Sequence, residues 1–275
     1  MKKKILITTG GSGGHVLPAI TIYDHLKVEY DVLISTDLRG HKYLDSDIYK
    51  VFVVNTPKLN KLILLPFAII KVFFLTLKSL FLLKREKIEI LISTGGYMSL
   101  PLCLAAKVRN IKIFLLEPNM IIGRANRFFL NFCEKIICYD SNIIGFPDKF
   151  QNKLKVSHPL IKKKYFDMNY KVNVDRIFTI IIIGGSQGAK IFDEIVHESI
   201  LKISKTKPLK IIHQTNKKNV HFLKKFYTDN KIENIIFDFD ENLNVLLEQA
   251  DLCITRAGAS SLAEISLLNI PFIAI

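Results

Sequence analysis

Short apolar runs that end in glycine, proline or polar residues alternate along this chain with longer stretches of helical period. This alternation is typical of βα units arranged around a parallel sheet, and it excludes an all-helical or all-β fold. In the first half the pattern predicts strands at 4–9, 31–36, 51–55, 89–94, 112–117 and 135–139, and helices at 16–28, 62–84, 98–109 and 123–132.

The same pattern restarts after a polar, lysine-rich passage from Asp148 to Asp175, which we interpret as a connection between domains. A length of 275 residues allows two domains. We therefore predict an α/β fold with two Rossmann-like domains in tandem, residues 1–160 and 161–275. In the second half we expect strands at 177–183, 210–215, 235–239, 252–256 and 271–275, and helices at 188–204, 217–228, 242–249 and 259–268.

The last predicted strand, 271–275, is apolar and is expected to be buried. No helix follows it to cover the sheet. Ligands of open α/β sheets bind beyond the carboxyl ends of the strands, so a continuation after Ile275 would begin in the binding crevice. We therefore expect the second domain to be incomplete.

The formal net charge of +14 is unevenly distributed. Residues 1–160 hold 23 basic and 12 acidic side chains, a surplus of 11, whereas residues 161–275 hold 16 and 13, a surplus of 3. A general lysine bias does not explain this difference, which favours an anionic partner for the first half. Because 32 of the 39 basic residues are lysine, and base reading relies on arginine, we expect no nucleic-acid partner.

Cysteine usage and the N-terminus indicate a cytosolic protein. No Cys-x-x-Cys pair occurs, and the apolar surroundings of the cysteines predict reduced, buried thiols rather than disulfides or metal ligands. Lys2–Lys4 leads into a strand and a glycine cluster rather than a signal-peptide core, so we predict no export. The cysteines are Cys103, Cys133, Cys138 and Cys253.

A first glycine turn, Gly10–His15, follows the first strand and opens a helix. Such a turn lets backbone amides approach a phosphate, although a tight turn without a ligand is the alternative. A dinucleotide fingerprint would need glycine or alanine where Val16 stands, and Asp37 gives only weak support for a ribose contact. His15 lies at the positive end of the helix, which favours a neutral imidazole; it is a candidate base or a helix cap.

Two further turns occupy equivalent places in the second half. Gly184–Ala189 fits either a nucleophile elbow with Ser186 or a phosphate-binding turn. We disfavour the hydrolase because the downstream histidines come too early to complete its triad. Thr255–Glu264 opens another helix, in which Glu264 either accepts hydrogen bonds from ribose hydroxyls or only complements the helix dipole.

The segment from Leu62 to Leu83 is almost entirely apolar over 22 residues. Its length would suit a transmembrane helix, but a span here would break the βα series. Lys71, Lys78 and Arg85 recur every seven residues, on one stripe of a helix. We therefore predict an interfacial helix that contacts an anionic membrane, with an ordinary covering helix as the alternative.

Taken together, these motifs resemble those of the MurG family, the bacterial N-acetylglucosaminyltransferases that convert lipid I to lipid II. The resemblance implies a GT-B fold with two Rossmann-like domains facing a cleft. It also implies a UDP-N-acetylglucosamine donor, an undecaprenyl-pyrophosphate acceptor, inversion at the anomeric carbon, and no metal or other cofactor. The matching residues are Gly10–His15, Ser93–Tyr97, Glu117–Asn119 with Asn126, Gly184–Gly188, His213–Gln214 and Arg256–Glu264.

The resemblance also implies roles for single residues and a location at the cytoplasmic face of the inner membrane. His15 would be the base, and a further set of residues, named below, would bind substrate. A truncated, inactive remnant is the alternative, since the family's following loop lies beyond Ile275. The substrate-binding residues would be Ser12, Gly13 and Gly14 at the donor sugar or acceptor pyrophosphate, Asn119 at the donor sugar, Asn126 at the substrate without a more specific role, Ser186 at the diphosphate, Asp240 at the uracil, and Ala259, Ser260, Ser261, Leu262, Ala263 and Glu264 at the diphosphate and ribose.

The sequence departs from the family pattern at two positions. Ile161 stands where the family has an arginine that contacts the donor, and Pro118 stands where it often has glutamine. These changes leave the donor contact at position 161 without its usual side chain.

Overall fold

A computed structural model describes residues 2–57, 65–166, 177–184, 191–238, 240, 242–256 and 258–275. The chain divides into two compact units, Met1–Leu160 and Ile161–Ile275. Each unit is an α/β structure built on a parallel sheet, so the predicted fold class is confirmed.

The first unit contains a parallel sheet of seven strands within the described residues, in the order β3-β2-β1-β4-β5-β6-β7. Its central strands are apolar because helices cover both faces of a parallel sheet. In β1, for example, Ile5, Leu6 and Ile7 are almost completely buried. The strands are β1 (Lys4–Thr8), β2 (Asp31–Thr36), β3 (Val51–Val53), β4 (Ile90–Ser93), β5 (Lys112–Glu117), β6 (Lys135–Cys138) and β7 (Leu154–Val156).

Helices α1 to α4 connect these strands. Helix α1 begins at Gly13, three residues before the predicted start at residue 16, and Pro18 lies inside it. Helix α2 packs against α3 and contributes Leu83 to the main core, together with Leu102 of α3 and Phe129 of α4. The helices are α1 (Gly13–Leu26), α2 (Leu65–Arg85), α3 (Leu100–Val108) and α4 (Arg124–Phe129).

In the second unit the described residues form a parallel sheet of five strands in the order β10-β9-β8-β11-β12. Two core clusters lie on the two faces of this sheet, one around Ile181 and the other around Ile182. The strands are β8 (Phe178–Ile183), β9 (Leu209–Gln214), β10 (Glu233–Phe237), β11 (Leu252–Thr255) and β12 (Phe272–Ala274), and the helices are α5 (His197–Ser204), α6 (Lys217–Asp229), α7 (Leu243–Leu247) and α8 (Ala259–Leu267).

Two sequence expectations were wrong. The polar passage after Asp148 is not only a connection, because Leu154–Val156 pairs with β6 and extends the first sheet. Strand β12 is exposed rather than buried: within the described residues it pairs only with β11, and no described element covers its side chains. Ser186 and the start of the helix predicted at 188–204 lie outside the described residues.

The predicted burial of the cysteines was confirmed. All four thiols are free and buried. Burial raises the pKa values of Cys103 and Cys138 to about 12, which keeps both groups protonated near neutral pH.

Candidate functional site

The loops that follow β1, β4 and β5 meet at one edge of the first sheet. Strand β1 pairs with β2 on one side and with β4 on the other, so the strand order reverses between β1 and β4. Ligands of open α/β sheets bind at such a reversal, beyond the carboxyl ends of the strands.

A cavity of about 750 Å³ lies at this edge. Most of its lining comes from the three loops and from α4, with apolar walls supplied by Leu100 and Phe128. Concave sites with apolar walls and a few convergent polar groups are typical of small-molecule binding. The remaining lining residues are His15, Gly95, Gly96, Tyr97, Glu117, Asn119, Gly123, Arg124, Ala125 and Asn126.

His15 lies in the first turn of α1, and its ring is fixed by the loop after β4. The Nδ1 atom is 2.8 Å from the carbonyl oxygen of Thr94. A carbonyl only accepts hydrogen bonds, so Nδ1 carries a hydrogen, and Nε2 is the ring nitrogen left to face a ligand. A Cβ atom on Gly96, which lines the same cavity, would lie 3.7 Å from Nε2. The geometry therefore places Nε2, the ring nitrogen that is not used by Thr94, beside the cavity wall.

The first glycine turn is organised by Asp37, whose side chain is almost completely buried. Its Oδ1 accepts hydrogen bonds from the amides of Gly11, at 2.8 Å, and Gly40, at 2.9 Å. Burial alone would raise the pKa of Asp37. The two amide hydrogen bonds and the Arg39 guanidinium lower it by more, so the pKa falls below its ordinary value. The weak suggestion of a ribose contact was wrong, because this carboxylate is occupied by its own turn.

Gly10 and Gly11 are required in this turn by sterics. A Cβ on Gly10 would lie 2.8 Å from Oδ1 of Asp37, closer than nonbonded atoms approach. Gly11 has a φ of 86°, which favours glycine. The next residue, Ser12, is the N-cap of α1, but its side chain makes no capping hydrogen bond. Gly13 is buried and Gly14 is exposed.

Glu117, at the end of β5, organises the third loop; the sequence analysis quoted it within a motif but gave it no role of its own. Its side chain is buried, with the residue 3% exposed. Oε1 accepts hydrogen bonds from the amide and side chain of Asn119, and Oε2 accepts from the Gly123 amide at 2.7 Å. Asn126 completes the arrangement by donating from Nδ2 to Oε2 at 3.0 Å. One carboxylate therefore fixes the loop that forms a wall of the cavity.

Asn126 has a second feature that is relevant to ligand binding. Its Nδ2 also donates to the Leu116 carbonyl at 3.0 Å, while its Oδ1 is buried and has no partner within the described residues. An unpaired buried acceptor is costly unless a ligand or water satisfies it. Asn119 is exposed at the cavity. The structure thus brings His15, Asn119 and Asn126 together at one cavity of the first unit.

In the second unit, the predicted donor-binding residues lie at the start of α8, which follows β11 and has Gly258 as its N-cap. Glu264 accepts a hydrogen bond from the Tyr165 hydroxyl at 3.0 Å. Burial raises the pKa of Glu264 above its ordinary value. Ala263 is buried, whereas the residues before it in the helix, Ala259, Ser260, Ser261 and Leu262, are half-buried.

Asp240 and His213 differ in their surroundings. Oδ1 of Asp240 accepts a hydrogen bond from the Asn242 amide at 2.7 Å, which closes a local turn. His213 is completely buried: its Nε2 lies 3.5 Å from Oδ1 of Asp193, and its Nδ1 lies 3.2 Å from the Tyr227 hydroxyl. The matching position of His213 in the motif therefore reflects packing of the second unit.

Helix α2 has one buried face and one exposed apolar face. Ala68, Val72 and Leu83 are buried against the unit. We define the apolar face of α2 as its exposed hydrophobic residues. They are Phe67, Ile69, Ile70, Phe73, Phe74, Leu77 and Phe81.

The basic residues of α2 border this face. Lys71, Lys78 and Arg85 are exposed, and Lys78 and Arg85 line a groove of about 420 Å³ together with Leu77 and Phe81. Within the described residues, one helix, Pro66–Arg85, is long and apolar enough to cross a membrane. Length and composition alone are weak support for a span. A groove with apolar walls and basic edges fits an interfacial location.

No group of three or more metal-ligating side chains occurs among the described residues.

Comparisons with known proteins agree with this arrangement. Residues 5–138 match the glycosyltransferase family 28 N-terminal domain, and residues 179–275 match its C-terminal domain. A relative from Pelagibacter ubique is 48% identical over 277 aligned residues, which cover 100% of this chain and 78% of the relative. Another from Rickettsia canadensis is 34% identical, with 98% and 78% covered. Both are named UDP-N-acetylglucosamine–N-acetylmuramyl-(pentapeptide) pyrophosphoryl-undecaprenol N-acetylglucosamine transferase.

A solved structure has the same fold. The crystal structure of Acinetobacter baumannii MurG aligns with a TM-score of 0.77 at 21% identity, covering 100% of this chain and 78% of that protein.

Proposed function

This chain belongs to glycosyltransferase family 28, and on that premise we propose that it transfers N-acetylglucosamine from UDP-N-acetylglucosamine to lipid I, forming lipid II. Lipid I is undecaprenyl-pyrophosphoryl-N-acetylmuramyl-pentapeptide. Relatives that are 48% and 34% identical over nearly the whole chain carry the names of this transferase. A serine hydrolase and an inactive remnant are not favoured.

The reaction needs a base at the attacking hydroxyl. The C4 hydroxyl of the muramoyl sugar attacks C1 of N-acetylglucosamine, the bond from C1 to the diphosphate breaks, and UDP leaves. We assign the base to His15, and the observation that carries this assignment is its hydrogen bond to the Thr94 carbonyl. That bond holds the hydrogen on Nδ1, so Nε2 is free to accept the proton of the hydroxyl.

The leaving diphosphate needs positive potential. In the second unit, the amides at the start of α8 and the positive end of its dipole would supply this potential at Ala259–Ser261. Glu264, three residues further on, would accept hydrogen bonds from the ribose hydroxyls. Asp240 would contact the uracil through its backbone. Ser186, outside the described residues, is assigned to the diphosphate by its motif alone.

We assign the contact with the membrane to α2. Its apolar face leaves large side chains in water, with Phe67 74% and Phe81 69% exposed, and a soluble surface rarely carries such a patch without a partner. The basic residues beside it attract anionic headgroups. The first unit would therefore hold the lipid-linked acceptor at the cytoplasmic face of the inner membrane, while the second holds the donor.

The proposed function is tested by transfer of radiolabelled N-acetylglucosamine to a lipid I analogue by the purified chain. We expect labelled product from the unmodified chain, and a loss of about 100-fold or more in rate for His15→Gln, the usual effect of removing a general base. His25→Gln is the matched control, because His25 lies in the last turn of the same helix and is exposed. Equal rates for His15→Gln and the unmodified chain would refute the assignment of the base.

A further inference from the structure

Arg39 links two glycine turns that are far apart in the sequence. Its Nε donates to Oδ2 of Asp37 at 3.0 Å, and its Nη2 donates to the Tyr97 hydroxyl at 2.6 Å. Asp37 fixes the turn after β1, and Tyr97 belongs to the turn after β4. The planar guanidinium has donors in two directions, so it serves both partners in one fixed orientation.

This contact determines which way the Tyr97 hydroxyl hydrogen points. An arginine side chain only donates hydrogen bonds, so the phenol oxygen is the acceptor in the contact with Nη2. The hydrogen of the phenol must then point away from the guanidinium. Tyr97 lines the cavity next to His15. The phenol hydrogen is thus not used by Arg39 and is left for another acceptor.

Asp37 keeps Arg39 in place without help from a ligand. Its side chain is 2% exposed, whereas that of Arg39 is 45% exposed. The carboxylate is held by the amides of Gly11 and Gly40, so it is a rigid anchor for the guanidinium. The cation–π geometry agrees, since the guanidinium carbon lies 5.8 Å from the centre of the Tyr97 ring.

We infer that Arg39 is a positioning residue that orients the Tyr97 hydroxyl to donate a hydrogen bond to an anionic oxygen of the acceptor diphosphate. This inference rests on the proposed function, which supplies the diphosphate-linked acceptor. The cavity suits an anion at this place, because Arg124 and the start of α1 also border it. Glu117, its acidic residue, is occupied by the amides of its own loop.

Binding of a soluble lipid I analogue and of UDP-N-acetylglucosamine, both measured by calorimetry, tests the inference. Loss of a hydrogen bond to a charged group should weaken acceptor binding about tenfold or more in Tyr97→Phe. Arg39→Met should weaken it by a similar factor. Because Arg39 acts through Tyr97, the double variant should bind acceptor within about twofold of Tyr97→Phe alone. Donor affinity should not change in any of these variants.

Two further variants keep the test decisive. Arg39→Lys retains a cation beside Asp37 but cannot reach Tyr97 at the same time, so it should fold and still lose acceptor affinity. Arg109→Met is the matched control, since Arg109 is an exposed arginine at the far end of α3. It should leave acceptor affinity unchanged.

The outcomes separate the inference from the function on which it rests. Absence of acceptor binding by the unmodified chain would refute the proposed function, and the inference with it. Normal acceptor binding by the unmodified chain together with unaltered binding by Arg39→Lys would refute the inference alone. Multiplying losses in the double variant would also refute it, because Arg39 would then act independently of Tyr97.

Discussion

Replacing Glu117 by glutamine tests how the third loop of the site is held. The carboxylate accepts hydrogen bonds on both oxygens, from Asn119 on Oε1 and from Gly123 and Asn126 on Oε2. Glutamine has almost the same shape, but one oxygen becomes an NH2 group that cannot accept. The two N–H groups that donated to that oxygen then face another donor. The hydrogen bonds to the remaining oxygen become weaker because the acceptor is no longer charged.

The expected loss of stability depends on which of the two carboxylate oxygens of Glu117 is replaced by the NH2 group. Asn119 is exposed and can turn to water, whereas the Gly123 amide and Asn126 are fixed in the loop. The glutamine oxygen should therefore stay toward Gly123, and the Asn119 contacts should be lost. Hydrogen bonds to charged groups contribute about 1.5–3 kcal/mol each, so the loss of two would cost about 3–6 kcal/mol. Because Asn119 is exposed, water replaces part of both contacts, and we expect the free energy of unfolding to fall by about 2–3 kcal/mol.

Thermal denaturation followed by circular dichroism measures this loss. A change of 2–3 kcal/mol corresponds to a fall of about 5–10 °C in Tm for a protein of this size. Affinity for UDP-N-acetylglucosamine should fall as well, because Asn119, which the resemblance assigns to the donor sugar, loses its position at the cavity. Glu134→Gln is the control, since Glu134 is exposed in the same unit, and it should change Tm by no more than about 1 °C. A Glu117→Gln variant with unaltered Tm and unaltered affinity for UDP-N-acetylglucosamine would contradict this account of the loop.

Other predictions concern the membrane, the donor and the thiols. Lys71→Glu with Lys78→Glu should weaken binding to anionic vesicles about 30-fold or more in a sedimentation assay, because each basic residue near the surface contributes about 1 kcal/mol and the reversed charges repel. Glu264→Gln should weaken UDP-N-acetylglucosamine binding but raise Tm at pH 7. Burial raises the pKa of Glu264 above that of an exposed glutamate. At any pH above the pKa of an exposed glutamate, the cost of ionising the buried carboxyl therefore lowers the stability of the folded protein. Cys103 and Cys138, with pKa values raised to about 12, should resist alkylation at pH 8 until the protein unfolds.

Each of these has an outcome that would count against it. For the membrane, Lys224→Glu with Lys225→Glu changes the charge equally on α6, and an equal loss of vesicle binding would remove any special role for α2. For the donor, a Glu264→Gln variant that binds UDP-N-acetylglucosamine normally would remove the ribose contact. For the thiols, rapid labelling of the folded protein would show that they are accessible.

Much of the fold could be predicted because its strands are apolar runs that end at glycine turns. The paired halves and most elements follow from that pattern. Strand β7 was missed because Leu154–Val156 is short and contains a lysine, and only the free edge of β6 makes it a strand.

The candidate site was predicted in part for the same reason. His15, Asn119 and Asn126 stand in motifs at strand ends, so their meeting at one cavity follows from parallel strands. The roles of Asp37 and Arg39 did not follow, because each depends on contacts between segments that are distant in the sequence. Arg39 and Tyr97 are 58 residues apart, and no local pattern indicates that they touch.

The central claim is that this chain joins N-acetylglucosamine to the muramoyl sugar of lipid I. The most direct measurement incubates the purified chain with UDP-N-acetylglucosamine and a lipid I analogue, and then determines the product by mass spectrometry and NMR. We predict an added N-acetylhexosamine, attached to the C4 hydroxyl with inverted, β configuration, and release of UDP. Release of free N-acetylglucosamine with no added sugar on the acceptor, or attachment at another hydroxyl, would contradict the claim.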